Sequence, residues 1–442
     1  MSRMNRRGFL TAAGSAAGAL ALAGTASGCS GDFRQTVGSV PRAYAGRTHL
    51  VVWHSFGSVA GDTLQGLVDA FNEEQNEIYV ETQFQGGYEV TMQKLATSIR
   101  AKQIPDLVTL SEVTWRKMHL AGTLEPLSGY FDQEVNPDSY VDQFIDEGHV
   151  GGETWWIPFA RSTPLFYYNK EAFAKAGLSD RPPKSWEEYR ELVPGLLDHG
   201  YRGLALGDTH SSWVLHANIW NWGGNYSKDL DVTIDEEPSM RAIQWLVDLV
   251  REDQGGYFAK DATVDIGNGV AAATMTSTGS LTNVMEAAKG GDVEVGTGFL
   301  LEYDGQHSCP TGGSGFGIMA DAAPHRKEAA WEFLKFLARP ERSAEWSMGT
   351  GYLPVVKEAQ QDPKLVKLMA DDPNFRTAVE QLPLTRPQDL IRLIVGNGGE
   401  LLDKTFVKLY SSNVEVTSTV ERLASQLRNR AELVRPLYEE RY

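Results

Sequence analysis

Residues 49–54, HLVVWH, form a short, nearly unbroken apolar run of the kind a buried strand carries. Beyond it, Leu64, Leu67, Val68 and Phe71 recur at i, i+3, i+4 and i+7, the stripe of an amphipathic helix. IYVETQF (78–84) predicts a second strand, Met92, Leu95, Ala96 and Ile99 a second helix, and DLVTL (106–110) a third strand. This βαβαβ order implies an α/β fold with a parallel, doubly wound sheet and right-handed crossovers. Ligands of such sheets bind beyond the carboxyl ends of the strands. His54-Ser55, Gly86-Gly87-Tyr88 and Ser111-Glu112 all fall there, so topology places Tyr88 and Glu112 at a candidate site.

Farther on the pattern changes. WWIPFARSTPLFYYNKEAF (155–173) reads as extended apolar segments leading into a helix, as expected where the chain crosses to a second α/β lobe. Ser185-Trp186-Glu187-Glu188 has a serine and a glutamate at the spacing of a capping box. A helix over about 326–338 turns Ala330, Phe333, Leu334 and Leu337 inward; GTGYLPV (349–355) then makes a turn and an extended stretch, and helix resumes from about 414. The reading is two lobes joined by several crossings: 48–160 mainly lobe 1, 161–325 mainly lobe 2, and 326–442 a helix-rich segment returning across the hinge. No internal repeat is visible.

The first residues read as an address. Arg6-Arg7 before Gly8-Phe9-Leu10 resembles a twin-arginine export signal, and the weakly apolar, small-residue stretch that follows fits a cleaved signal over 1–28 better than a membrane helix. Ala26-Ser27-Gly28-Cys29 resembles a bacterial lipobox, in which Cys29 becomes lipid-modified; the pattern prefers Leu where this chain has Ala26, and ordinary cleavage leaving a free Cys29 is the alternative. Residues 29–47 are then a polar tether, and the remainder an exported, extracytoplasmic protein held to the bacterial cell membrane by its lipid.

The chain has 442 residues, with 41 Lys+Arg against 58 Asp+Glu and a formal charge of −17. Loss of the signal removes three arginines and no acidic residue, making the mature chain more acidic still. This balance argues against nucleic-acid binding, which needs a basic footprint. With Cys29 modified, Cys309 is the one remaining thiol; no intrachain disulfide can form, and Cys309 reads as a packing residue. There is no GxxxxGK[ST], HExxH or GxSxG motif and no Cys/His cluster, and the nine histidines are scattered. A binding protein with no metal and no cofactor is therefore expected rather than an enzyme, although chance carboxylate pairs keep an exported phosphodiesterase or glycosidase open as an alternative.

Polar, small and aromatic residues in loops stand out instead. Trp213, Trp220 and Trp222 could stack on a polyol or surround a quaternary ammonium, although core packing accounts for most of the eleven tryptophans. The turns STGSL (277–281) and PTGGSG (310–315) could aim backbone N–H groups at an oxyanion.

The succession of export signal, WHS (53–55), ARSTPLFYYNK, STGSL, PTGGSG, ARPERSAEW (338–346), TGYLPV and LPLTRPQDLIR (382–392) resembles the solute-binding proteins of ABC importers, over nearly all of the mature chain. Within that family it is similar to the sn-glycerol-3-phosphate and glycerophosphodiester-binding branch, most specifically through Tyr88, Glu112, Ser162, Ser277, Gly313, Tyr352 and Arg392 in matching contexts. The resemblance implies a two-lobed periplasmic-binding-protein fold with a hinge and a doubly wound sheet in each lobe, working as a monomer with ABC permease subunits as partners. It implies that Tyr88 and Glu112 hold glycerol hydroxyls, while Ser162, Ser277, the Gly313 N–H, Tyr352 and Arg392 take the phosphate, with Arg386 the rival arginine. Where enteric members carry two tryptophans three residues apart, this chain has His210 and Trp213. The space opened at His210 favours a phosphodiester such as glycerophosphocholine, with Trp213 near the head group. An oligosaccharide-binding protein of the same fold, for maltose or trehalose, is the alternative that uses these loops without Arg392.

Overall fold

The computed structural model describes residues 33–178, 181–207 and 210–442. The signal and Cys29 lie outside the described residues. Ten strands build two five-stranded sheets: β1 (Thr48–His54), β2 (Ile78–Phe84), β3 (Leu107–Ser111), β4 (Ile157–Ser162), β5 (Pro164–Asn169), β6 (Arg202–Gly207), β7 (Gly256–Ala259), β8 (Ala271–Ser277), β9 (Val295–Gly298) and β10 (Gly312–Ile318). The chain divides into two compact units, one containing 33–159, Ser314–Ser343 and Arg441–Tyr442, the other Ala160–Gly313 and Ala344–Glu440.

The sheet of the first unit has the order β2-β1-β3-β10-β4. β1 pairs in parallel with both β2 and β3, as the βαβαβ pattern requires. β10 joins antiparallel to β3, with Ser314 opposite Ser111 and Ile318 opposite Leu107, so the sheet is mixed rather than wholly parallel. This pairing also explains why 314–325, grouped from sequence with the second lobe, belongs to the first unit. The helix Pro324–Leu337 follows it there, setting Phe333 and Phe336 edge-on against Phe71 of the helix Ser58–Glu74. That helix buries the predicted Leu64, Leu67, Val68 and Phe71, and near its end Asn72 exchanges two hydrogen bonds with the backbone of Val80, pinning it to β2. Trp156 stacks on Trp115 and donates its indole N–H to Leu110 O of β3 at 2.9 Å, closing the core under β10.

Residues 33–47, expected as tether, are docked on this unit. Arg34–Gln35 forms a two-residue parallel bridge with Gln103–Ile104, and the Gln35 amide donates to the buried Asp106 carboxylate and to His49 O. Tyr44 stacks on Tyr79 at 4.7 Å, and the Arg47 guanidinium donates to the carbonyls of Asn72 and Gln75 at 2.6 and 2.7 Å. Those carbonyls lie at a helix C-terminus, where intrahelical donors run out and a cation is favoured.

The second unit's sheet has the order β7-β6-β8-β5-β9. β6 is parallel to β7 and β8, whereas β5 is antiparallel to β8 and β9. The helix Trp186–Asp198 begins at Ser185, whose hydroxyl accepts the Glu188 N–H, but the Glu188 carboxylate turns to Lys184 N and Arg181, so the reciprocal half of a capping box is not made. Tyr189 from this helix packs edge-on to Phe166 and donates to Gly255 O at 2.6 Å. The chain ends in the long helix Val416–Arg441, and no helix among the described residues is long and apolar enough to cross a membrane.

Candidate functional site

In the first unit, three strand ends gather the predicted residues. Tyr88 opens the helix Tyr88–Arg100 after Gly86, which has φ +104°, and the extended Gly87, and its hydroxyl donates to Ser314 Oγ at 3.1 Å. Glu112 opens the helix Glu112–Leu120 directly after Ser111, the residue opposite Ser314 in the sheet, and is buried. Antiparallel insertion of β10 thus brings Ser314 to the Tyr88 hydroxyl and opposite Ser111, the residue before Glu112. Long-range pairing of this kind leaves no local signal in the sequence. Beside them His54, packed against Phe56 and Phe84, has its pKa lowered to about 4 by burial and is neutral at pH 7.

In the second unit, seven predicted residues lie on connected segments. Thr163 N donates to Thr278 Oγ1 and Thr278 N to Thr163 O, which sets the ends of β4 and β8 side by side and with them Ser162 and Ser277. Ser277 caps the 3-10 turn Thr278–Ser280, its hydroxyl accepting Gly279 N–H at 3.1 Å. Tyr352 follows Gly351, which has φ +85°, and its ring lies against Gly279, where a Cβ would come within 2.7 Å. Leu353 N donates to Arg161 O at 2.8 Å, tying the Tyr352 loop to β4. Gly313 has φ +96° and sits so close to β4 that a Cβ would lie 2.0 Å from Ala160 O. PTGGSG is therefore not a free turn but the entry to a strand with one left-handed glycine.

The arginine side of this region is organised around Thr311. Its carbonyl accepts the Trp213 indole N–H at 2.9 Å and the Gln388 amide at 2.6 Å. Trp213 lies flat against Gly312, where a Cβ would meet the ring at 2.4 Å. Gln388 accepts from Arg392 Nη1, and Arg392 Nε donates to Ser212 Oγ at 3.1 Å, leaving the arginine only 4% exposed. His210 is exposed, takes a left-handed φ of 61°, and precedes the helix Ser211–Val214; the Asp403 carboxylate accepts the N–H groups of His210 and Ser212. Arg386 is exposed and lies over the Trp220 ring. Trp222 is stacked on Tyr303 at 3.6 Å, in the core rather than at the site. Cys309 is fully buried, and burial pushes its thiol well up.

Sequence reasoning did not single out Ser314, Ser212, Gln388, Asp389, Asp403 or Thr278 as side chains. Thr278 and Ser314 lie in the two turns it marked, and Gln388 and Asp389 in the segment LPLTRPQDLIR, whereas Ser212 and Asp403 had no local signal.

Each unit carries polar groups of its own: hydroxyl and carboxylate acceptors in the first, and hydroxyls, a glycine N–H and a buried guanidinium in the second. Residues 66–377 match the family described as bacterial extracellular solute-binding protein. The chain belongs to this family. As such a solute-binding protein it serves an ABC importer, with a small-molecule ligand and membrane permease subunits as partners, and works outside the cytoplasm. It is 29% identical to the sn-glycerol-3-phosphate-binding periplasmic protein UgpB of Pectobacterium atrosepticum over 86% of this chain and 91% of that one. A crystal structure of UgpB from Mycobacterium tuberculosis in complex with glycerophosphocholine is similar at a TM-score of 0.80 and 29% identity, covering 88% of this chain and 98% of that one. Maltose-bound MalE3 of T. maritima, at 20% identity and a TM-score of 0.74 over 86% of this chain and 99% of that one, shares the fold.

Proposed function

We propose that this solute-binding protein captures a glycerophosphodiester of the glycerophosphocholine type, with sn-glycerol-3-phosphate as the second candidate, and delivers it unaltered to the permease. The observation that carries this reading is Arg392. It is a buried arginine whose guanidinium is oriented by Ser212 and Gln388 and linked through Thr311 to the strand entered at Gly313. A pre-oriented guanidinium is the strongest donor to phosphate oxygens available without a metal, and its orientation lowers the entropy lost on binding. Ser162, Ser277, Gly313 and Tyr352 supply the remaining phosphate contacts in this reading, while Tyr88 and Glu112 take the glycerol hydroxyls. The exposed His210, in place of a tryptophan, supports a ligand with a substituent on the phosphate, and Trp213 lies near that head group.

The protein is further proposed to be exported by its twin-arginine signal, lipid-anchored at Cys29, and monomeric. Thermal-shift and calorimetric titration of the signal-free chain with glycerophosphocholine, sn-glycerol-3-phosphate, inorganic phosphate, maltose and trehalose test the ligand. A ligand at 100 times its dissociation constant adds about 2.7 kcal/mol to stability. A response to a glycerol phosphate compound and not to the sugars is expected; a response to a sugar alone would replace the ligand with an oligosaccharide, and release of free choline would make the protein a phosphodiesterase.

A further inference from the structure

We infer that Asp389, paired with His216, is the positioning residue that aims Arg392, a step that rests on Arg392 being the ligand arginine. Asp389 immediately precedes the short helix Leu390–Leu393, yet its side chain does not cap that helix. It reaches outward instead. Its carboxylate accepts the Tyr226 N–H at 2.6 Å, the Ser227 N–H at 3.3 Å and the Trp220 indole N–H at 3.2 Å, and His216 Nε2 lies 2.9 Å away. Burial alone would raise its pKa, but His216 and these donors outweigh it and hold the carboxyl below the usual range.

These contacts close a ring around Arg392. From Asp389 the path runs to the Tyr226 backbone. The Tyr226 hydroxyl donates to Ser212 O at 2.8 Å, Ser212 Oγ accepts from Arg392 Nε, and the Arg392 N–H returns to Asp389 O at 3.0 Å. Both ends of the arginine are thereby tied to one residue: its backbone N–H to the Asp389 carbonyl, and its guanidinium, through Ser212 and Tyr226, to the Asp389 carboxylate. Stacking supports this frame: His216 packs on Trp220 at 4.0 Å and on Tyr226 at 4.1 Å, at interplanar angles of 30° and 23°. A flexible side chain such as arginine carries considerable rotamer entropy, and a frame that fixes it before the ligand arrives raises affinity without touching the ligand.

The test is a double-mutant cycle read by titration calorimetry with whichever of glycerophosphocholine and sn-glycerol-3-phosphate the unaltered protein binds. Asp389→Asn keeps the shape and removes the charge. It is expected to weaken binding about tenfold or more in the unaltered background and less than about threefold when Arg392 is already Ala. Equal losses in both backgrounds would overturn the proposal, since a residue that merely stabilises the unit acts independently of Arg392. Trp220→Phe, which removes one donor and keeps the ring, is the milder variant should Asp389→Asn fail to fold, with the same coupling expected. A second readout needs no ligand: the Nε–H resonance of Arg392 in arginine-labelled protein, assigned with Arg392→Lys, is expected to shift and exchange faster in Asp389→Asn or Trp220→Phe. An unmoved resonance sinks the positioning role. If the unaltered protein binds neither phosphate compound, the ligand reading fails and the resonance alone decides the positioning.

Discussion

The guanidinium of Arg386 lies 3.9 Å from the centre of the Trp220 ring and donates to the Asn225 side chain, while Arg392, six residues later, is buried with its Nε on Ser212. The arginine read from the sequence as the phosphate donor, Arg392, and its rival Arg386 are thus in different physical states. One is a surface cation spent on an aromatic face; the other is a buried donor held in a frame.

Their substitutions should differ accordingly. Arg392→Ala is expected to cost at least about 2 kcal/mol of binding, near thirtyfold, as truncating a buried charge-assisted contact does. Arg386→Ala should cost no more than about 1 kcal/mol, the usual worth of an exposed cation–π contact. Titration calorimetry with glycerophosphocholine decides, and a larger loss from Arg386 would move the phosphate site to the Trp220 face.

Gly313→Ala forces a side chain into a left-handed backbone with its Cβ 2.0 Å from Ala160 O. A loss of more than about 1 kcal/mol is expected, because both the conformation and the space are wrong for alanine. Urea denaturation would register it as a lower midpoint at unchanged slope. A neutral result would mean that the strand shifts at no cost.

Two histidines of the first unit make its stability pH-dependent. Burial holds both His54 and His119 at about 4, with Arg441 and Arg116 adding to the shift of His119, against 6.5 for an unperturbed ring. The unfolded chain therefore binds these protons first. Stability is complete above pH 6.5 and falls as the pH drops towards 4, by about 2 kcal/mol per histidine at pH 5. Comparing urea midpoints at pH 7 and pH 5 for the unaltered chain and for His54→Gln with His119→Gln checks this. The double variant should show the shallower dependence, and an equal slope would mean that the rings are solvated.

Residues 33–47 act as part of the first unit, so shortening the chain to begin at residue 48 should destabilise it. The buried Asp106, which also accepts Val51 N–H and lies 3.0 Å from Arg326, loses its Gln35 donor, and the Tyr44–Tyr79 stack disappears. Gln35→Ala and Tyr44→Ala should each lower stability by about 0.5–1.5 kcal/mol, measured by chemical denaturation. Unchanged midpoints would show a passive tail.

What the sequence revealed follows from how local each signal is. The strands β1 to β3 and the helices between them were legible because burial writes periods of two and 3.6 into adjacent residues. Tyr88 and Glu112 followed from topology alone. The antiparallel entry of β10 was not legible, because Ser111 and Ser314 meet only through tertiary pairing. The docking of 33–47 escaped for a related reason: its anchors are single residues, Gln35, Tyr44 and Arg47, on a polar stretch without period. The frame of Arg392 is made of residues far apart in the chain, Ser212, His216, Tyr226 and Asp389, and no spacing rule joins them.

The docked N-terminal segment changes what an anchor at Cys29 would be. With Phe33 already packed against the first unit's core, the chain from Cys29 could reach no more than about 14 Å even when fully extended. That is a mount rather than a leash. A protein so fastened would diffuse as a two-dimensional solute, its first unit kept at the bilayer. Its meetings with a permease would be governed by surface density and a narrow set of approach angles instead of by volume concentration and free tumbling.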